Sequence, residues 1–258
     1  MRSLCGLINN CGILKHGDAK LIQSAFDHYK RGWPDYAPEG RESKAFRKKH
    51  AHANSRSVKF VGVWDTVGAM GIPMSFLGMF ENKDEFYDTK LGPNVEVARH
   101  ALALNERRVD FQPTVWLPRE GVDMQQVWFV GCHSDVGGSH APDSDAGEVL
   151  SAIPLKWMIK HAAQSGLDVE THVSAGLKPD PLAFIHESRR TFYRLRERHS
   201  RPIEPEVKYK TDEVTVPTMI HKAVKTRWDT DPAYRPKSLV EHLNRYADAR
   251  DGGWNIVS

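Results

Sequence analysis

Gln126-Val-Trp-Phe-Val-Gly-Cys-His133-Ser-Asp135-Val-Gly-Gly138 decides how this chain is read. A run of Val, Trp and Phe suits a pleated, buried strand. It stops abruptly at His133, Ser134 and Asp135, and then at paired glycines. In an open parallel sheet, ligands sit beyond the carboxyl ends of the strands, so polar side chains delivered there are candidates for chemistry. A second stretch repeats the design: Val58-Lys-Phe-Val-Gly-Val-Trp-Asp65-Thr-Val-Gly68. Two strands ending in titratable groups can bring a carboxylate beside an imidazole, which suits acid–base work. The plainer reading makes Asp65 and Asp135 loop caps and His133 a hydrogen-bonded core residue. Taken as a set they favour a site, because perturbed titratable groups cluster where function is.

Outward from these strands, the totals narrow the classes. A length of 258 residues allows one large domain or two small ones. Hydrophobic residues at 40 % and charged residues at 27 % describe an ordinary globular protein. A net charge of +3, from 36 basic and 33 acidic side chains, is too slight to point to nucleic acid. Cys5, Cys11 and Cys132 form neither a disulfide framework nor a zinc spacing, and are expected as buried thiols in a reducing compartment. No stretch approaches the roughly 18 apolar residues of a membrane span. Met1-Arg-Ser-Leu-Cys-Gly lacks the core of a signal peptide. A cytoplasmic protein, or one exported without a signal peptide, is expected.

Along the chain, helical spacing of Leu4, Leu7, Ile8 and Cys11 predicts a helix over 2–14. Leu21, Ile22, Ala25, Phe26 and Tyr29 predict a second, and Phe46–His50 reads as a solvated helical face. The Gly/Met/Phe-rich stretch 69–80 reads either as core or as a lid over an acyl site. Asn94 is expected to cap a helix holding Val95, Ala98, Ala101 and Leu102. Ser151–Gln164 predicts a helix with Pro154 in its first turn and Gly166 ending it. Leu182–Ile185 reads as a short strand delivering His186 and Glu187. The arginines from Arg189 to Arg201 read as an ordinary exposed helix. Ser238 and Glu241 match a capping box before a closing helix. Strands alternating with helices give an α/β class.

Four blocks carry a family resemblance: Val63–Gly68, His100-Ala-Leu-Ala-Leu-Asn-Glu-Arg-Arg108, Trp128–Gly138 and Leu155-Lys-Trp-Met158. In this order they resemble the α/β-hydrolase-like catalytic domain of type VI secretion phospholipase effectors, over roughly residues 2–190. The resemblance implies lipase- or esterase-like hydrolysis by a serine, and attack on phospholipid acyl chains for the secreted members. It also implies an N-terminal strand with Asp-Gly-Thr and a Gly-Phe-Ser-Arg-Gly elbow, whose following helix is similar to Arg2–Leu14. No serine in the 258 residues has glycine at both −2 and +2. Such an elbow exposes the hydroxyl and places an N–H for the oxyanion. The expected fold is therefore the C-terminal part of an α/β-hydrolase-like sheet flanked by helices, its first strands and elbow missing. Residues 1–190 form this partial domain and 191–258 a helical extension. By position in the family pattern, Asp65 and His133 correspond to acid and base. Counting strands makes Asp135 and His186 the rival pair.

Three functions follow. The chain is part of a serine acyl-ester hydrolase, inactive alone, acting on a lipid or acyl ester and requiring no cofactor. Alternatively, Asp65, His133, Asp135 and His140 hold a metal for hydrolysis. A third reading is a non-catalytic module that contacts lipid, or a partner chain supplying the missing half of the sheet, through 69–80.

Overall fold

The computed structural model describes residues 2–31, 34–67, 91–141, 149–189, 197–209 and 211–258. The possible lid at 69–80 and most of the arginine-rich run lie outside these residues. Helices α1 (Arg2–Cys11), α2 (Ala19–Lys30) and α3 (Arg41–His50) come first, then strands β1 (Val58–Trp64), β2 (Val95–Ala103) and β3 (Asp123–Phe129). Helices α4 (His133–Gly137), α5 (Ala152–Gln164) and α6 (Thr171–Ala175) follow. The last third holds β4 (Glu206–Tyr209), β5 (Asp212–Thr215), β6 (Met219–His221), α7 (Lys222–Thr230), α8 (Lys237–Arg245) and β7 (Ile256–Val257).

The main sheet has the order β1-β2-β3-β6-β7, and β4 pairs with β5 in a separate antiparallel ribbon. Val58 N–H donates to Asn94 O and Asp65 N–H to Ala101 O, so the register advances by seven residues along both chains, the parallel arrangement. β3 with β6, and β6 with β7, are also parallel. The protein is thus α/β, with a mostly parallel sheet flanked by helices. The last third is not helical throughout, since β6 and β7 extend the sheet beside β3.

Two compact units divide the chain: residues 1–61, 84–98 and 119–123 form the first, and 62–83, 99–118 and 124–258 the second. In the first, α1 packs on α2 and α3. Asp18 caps α2 by accepting from Leu21 N–H. Arg47 donates to Asn10 O at 2.7 Å, and Arg56 joins Asn9 to Glu39. In the second, Trp116, Trp128 and Phe129 are almost wholly buried. Trp128 donates its indole N–H to Ile203 O and Thr218 Oγ1, so the central strand holds the chain that leads into β6.

Three local expectations need correction. Residues 95–103 are a strand, not a helix. Ala98, Arg99, His100, Ala101, Leu102 and Ala103 are all buried, and a stretch covered on both faces loses the alternation of two that would identify a strand. Asn94 caps nothing; its amide donates to Cys5 O and Arg56 O. Leu182–Ile185 is irregular chain rather than strand. At α8 the N-cap is Pro236, with no side-chain capping bond, and Ser238 is buried inside the helix. The helix at Ala152–Gln164 is as anticipated, with Gly166 in the left-handed region at φ 94°.

His221 closes β6 and caps α7, its Nδ1 accepting from Ala223 N–H at 3.2 Å while its ring stacks on Phe129. Burial, helped by the Lys222 and Lys160 charges, pushes this imidazole down to about 4. The folded state therefore binds the His221 proton less tightly than the unfolded chain does. The resulting stability is complete above the ordinary histidine range and is lost as pH falls towards 4. Between about pH 7.5 and pH 5 His221 should cost the protein roughly 2 kcal/mol. His221→Asn, which keeps a cap acceptor, should remove that share of the acid sensitivity in urea titrations at the two pH values.

Candidate active site

Asp65 leaves β1 with φ 37°, in the left-handed region that non-glycine residues rarely occupy and that asparagine and aspartate tolerate best. This turn places a wholly buried carboxylate against the end of β2. Its Oδ1 accepts from Ala103 N–H at 2.9 Å and Arg201 Nη1 at 2.7 Å. Its Oδ2 accepts from Arg201 Nη2 at 3.0 Å and His133 Nδ1 at 2.7 Å. Burial alone would raise this carboxyl. The Arg201 charge and the bonds from His133 and Arg201 outweigh burial and hold it well below the usual carboxylate range. An ionised carboxylate only accepts, so the His133 proton sits on Nδ1. Nε2 of the neutral ring is then a bare lone pair with no hydrogen-bond partner among the described residues, and the side chain is about a third exposed. That is the tautomer a general base requires.

The turn carrying His133 is held from several directions. Gly131 has φ 116°, and a Cβ there would lie 2.5 Å from the Asp135 Cβ, so only glycine fits. Its N–H donates to Asn105 Oδ1 at 2.8 Å, and Asn105 N–H donates back to Gly131 O at 2.9 Å. His133 N–H donates to Glu106 Oε2 at 3.2 Å. Glu106 in turn accepts from the Arg107 and Arg108 backbones and the Arg108 guanidinium. Burial works to raise the Glu106 carboxyl, but the Arg108 bonds and charge prevail and lower it. The Phe111 ring stands edge-on to His133 with centroids 5.2 Å apart.

The rival pair is also formed. Asp135 Oδ1 accepts from His186 Nδ1 at 2.6 Å, while Oδ2 accepts from Cys132 N–H at 2.8 Å and His186 N–H at 3.2 Å. The His140 ring stacks on His186 with centroids 3.6 Å apart and planes nearly parallel. All four residues anticipated from the sequence are thus brought into carboxylate–imidazole pairs, Asp65 with His133 and Asp135 with His186. Both pairs lie in the second compact unit.

Two contributors were not anticipated. Arg201 is 1 % exposed and forms the inner wall of the Asp65 pocket, where an exposed helix was expected. Residues 197–201 are irregular, and Arg189 is buried too. Glu106 and Asn105 lie in the His100–Arg108 stretch, but nothing in their spacing announced that they would hold another strand's turn. For a metal, the proposed set fits poorly. Both Asp65 oxygens are filled by four N–H donors, two of them from a guanidinium that would repel a cation. Cys132, Asp135 and His140 do bring ligand atoms within 4.8 Å of one another. However, Asp135 there already accepts three bonds, and burial, then the Asp135 charge, push the Cys132 thiol up to about 12.

A mostly parallel sheet flanked by helices, whose strand ends deliver buried carboxylates to imidazoles, makes this an α/β protein consistent with an α/β-hydrolase-like fold. More particularly, the chain belongs to the type VI secretion system phospholipase effector Tle1-like catalytic domain family, whose family model matches residues 1–161. Asp65, His133 and Asp135 lie inside that span; His186 and Arg201 lie beyond it. The chain is also similar to an uncharacterized protein of Saccharomyces cerevisiae, YEL023C, 44 % identical over 45 residues. That match covers 17 % of this chain and 7 % of the yeast protein's length. No solved structure matches.

Removing Arg201 would leave the Asp65 charge buried and half-compensated. Arg201→Met should cost about 3–5 kcal/mol in denaturant unfolding. Combining it with Asp65→Asn should cost clearly less than the sum of the two single changes. Additive costs would show that the two side chains do not form a working ion pair.

Proposed function

We propose that this chain carries the acid–base half of a serine acyl-ester hydrolase that acts on phospholipid, with His133 as general base and Asp65 as its orienting acid. The observation that carries this reading is the filled shell around Asp65. Four N–H groups keep it ionised, and one of them is His133 Nδ1, which leaves Nε2 as the proton acceptor. In this scheme His133 takes the proton of an attacking serine and returns it to the leaving alcohol, while Asp65 stabilises the transient imidazolium. Phospholipid as the substrate class rests on the family to which residues 1–161 belong. Asp135 and His186 act on position: they hold the α4 turn in place, because Asp135 caps that turn and clamps both nitrogens His186 presents to it.

No serine within the 258 residues stands in a Gly-x-Ser-x-Gly setting. We therefore infer that these residues alone do not turn over esters, and that the pair serves a hydroxyl from outside them. β1 stands at one end of the strand order, where a strand bearing such a serine would add.

The chain as it stands should take up no fluorophosphonate and hydrolyse p-nitrophenyl butyrate no faster than its denatured control. Covalent labelling of any of its own serines would overturn that part. In any in-frame product that does include a Gly-x-Ser-x-Gly, His133→Ala or Asp65→Asn should lower kcat by about 10⁴. His186→Ala should stay within roughly tenfold of the parent. The reverse ranking would transfer the catalytic role to Asp135 and His186.

A further inference from the structure

A cavity of about 400 Å³ opens between α5 and the start of α7, within the size range of small-ligand sites. It shares no residue with either carboxylate–imidazole pair. Ile153, Lys156, Trp157 and Lys160 line it from one face of α5, at the i, i+3, i+4, i+7 positions that stack above one another on a helix. Lys222 and Ala223 bring the first turn of α7 to the opposite side, and His221 forms part of the wall. None of the described side chains lining it is acidic, and among the described residues the one negative group on its wall is the main-chain carboxylate of Ser258.

Several features of the wall suit an anion. Lys160 on α5 and Lys222 on α7 both line the cavity, so positive charge reaches it from two elements, and both help burial to lower the His221 imidazole. The nine-residue helix α7 directs its N-terminal end here, where backbone N–H groups and the helix dipole favour negative charge. His221 is 5 % exposed. Its Nδ1 accepts from Ala223 N–H, so the neutral ring carries its proton on Nε2, which has no partner among the described residues. The indole Nε1–H of Trp157, 3 % exposed, is likewise without a partner there. A buried indole donor with nothing to donate to is uncommon in folded proteins. Lys160 spends one N–H on Ser258 O at 3.0 Å and keeps two. Three ammonium groups beside a helix start exceed what one carboxylate balances, and match a phosphate with several acceptor oxygens.

We propose that this cavity binds a phosphate group, free or carried on a short apolar moiety that packs against Ile153 and Trp157. The inference does not depend on the acyl-hydrolase reading, and binding is measured without turnover.

Isothermal titration of the purified chain uses three probes: inorganic phosphate, dihexanoyl phosphatidic acid below its micelle concentration, and uncharged dihexanoylglycerol. Saturable binding of one or both phosphate compounds, with none for dihexanoylglycerol, supports the site. A lipid preference of about tenfold or more identifies a headgroup ligand, and equal affinity identifies free phosphate. Lys156→Glu and Lys222→Glu change exposed side chains and should each weaken binding by about tenfold, with the salt dependence falling in step. In nitrogen-15 spectra the Trp157 indole N–H and the His221 ring should shift with the same saturation curve. Absence of saturable binding for both phosphate compounds, with inorganic phosphate taken to about 10 mM, overturns the proposal. So does equal binding of dihexanoylglycerol, or unchanged affinity in both charge-reversed variants.

Discussion

The pairing of Asp65 with Arg201 is the constraint from which the site follows. A carboxylate with no exposure at all is costly to ionise, and burial is the largest single influence on this one. A guanidinium meeting both oxygens reverses that outcome through its charge and two directed bonds. Once the carboxylate is fixed as an acceptor, the histidine beside it has no freedom in where its proton sits. The electrostatics of a buried ion pair are thereby converted into the tautomer of a neighbouring ring.

The pair is assembled by strand ends rather than by flexible loops. β1 supplies Asp65, the end of β2 supplies the Ala103 N–H, and the turn after β3 supplies His133. Asn105 and Glu106, just past β2, grip that turn through Gly131 and His133 N–H. Parallel neighbours in a sheet hold such ends in register with one another. Precision therefore comes from backbone ladders and needs few dedicated side chains.

Much of this was legible from residue order. Val58–Trp64 alternates and ends in Asp65, and Gln126–Val130 breaks at glycine and His133, so both strands and three of the four titratable groups stood out. β2 did not, because His100 and Arg99 sit buried among alanines and leucines and leave no polar face to betray the period of two. Arg201 was hidden for another reason. It lies 136 positions from Asp65, in a segment whose other arginines surround it without a pattern. What marks it is a buried carboxylate that needs a counter-charge, a condition visible only once Asp65 is known to be buried. His186 was found for its titratable side chain although the strand expected to deliver it is absent, because two bonds from Asp135 place it instead.

His133 and Asp135 are two positions apart on a helix of five residues, where side chains at that spacing diverge. Each reaches its own partner on a different side, so a single rigid turn belongs to both carboxylate–imidazole pairs. Displacing His186 would tug on Asp135 and tilt the ring two residues earlier. The orientation of His133 is therefore set in part by chain that follows it by more than fifty residues, and divergence near Phe184 or His140 would retune it without touching it.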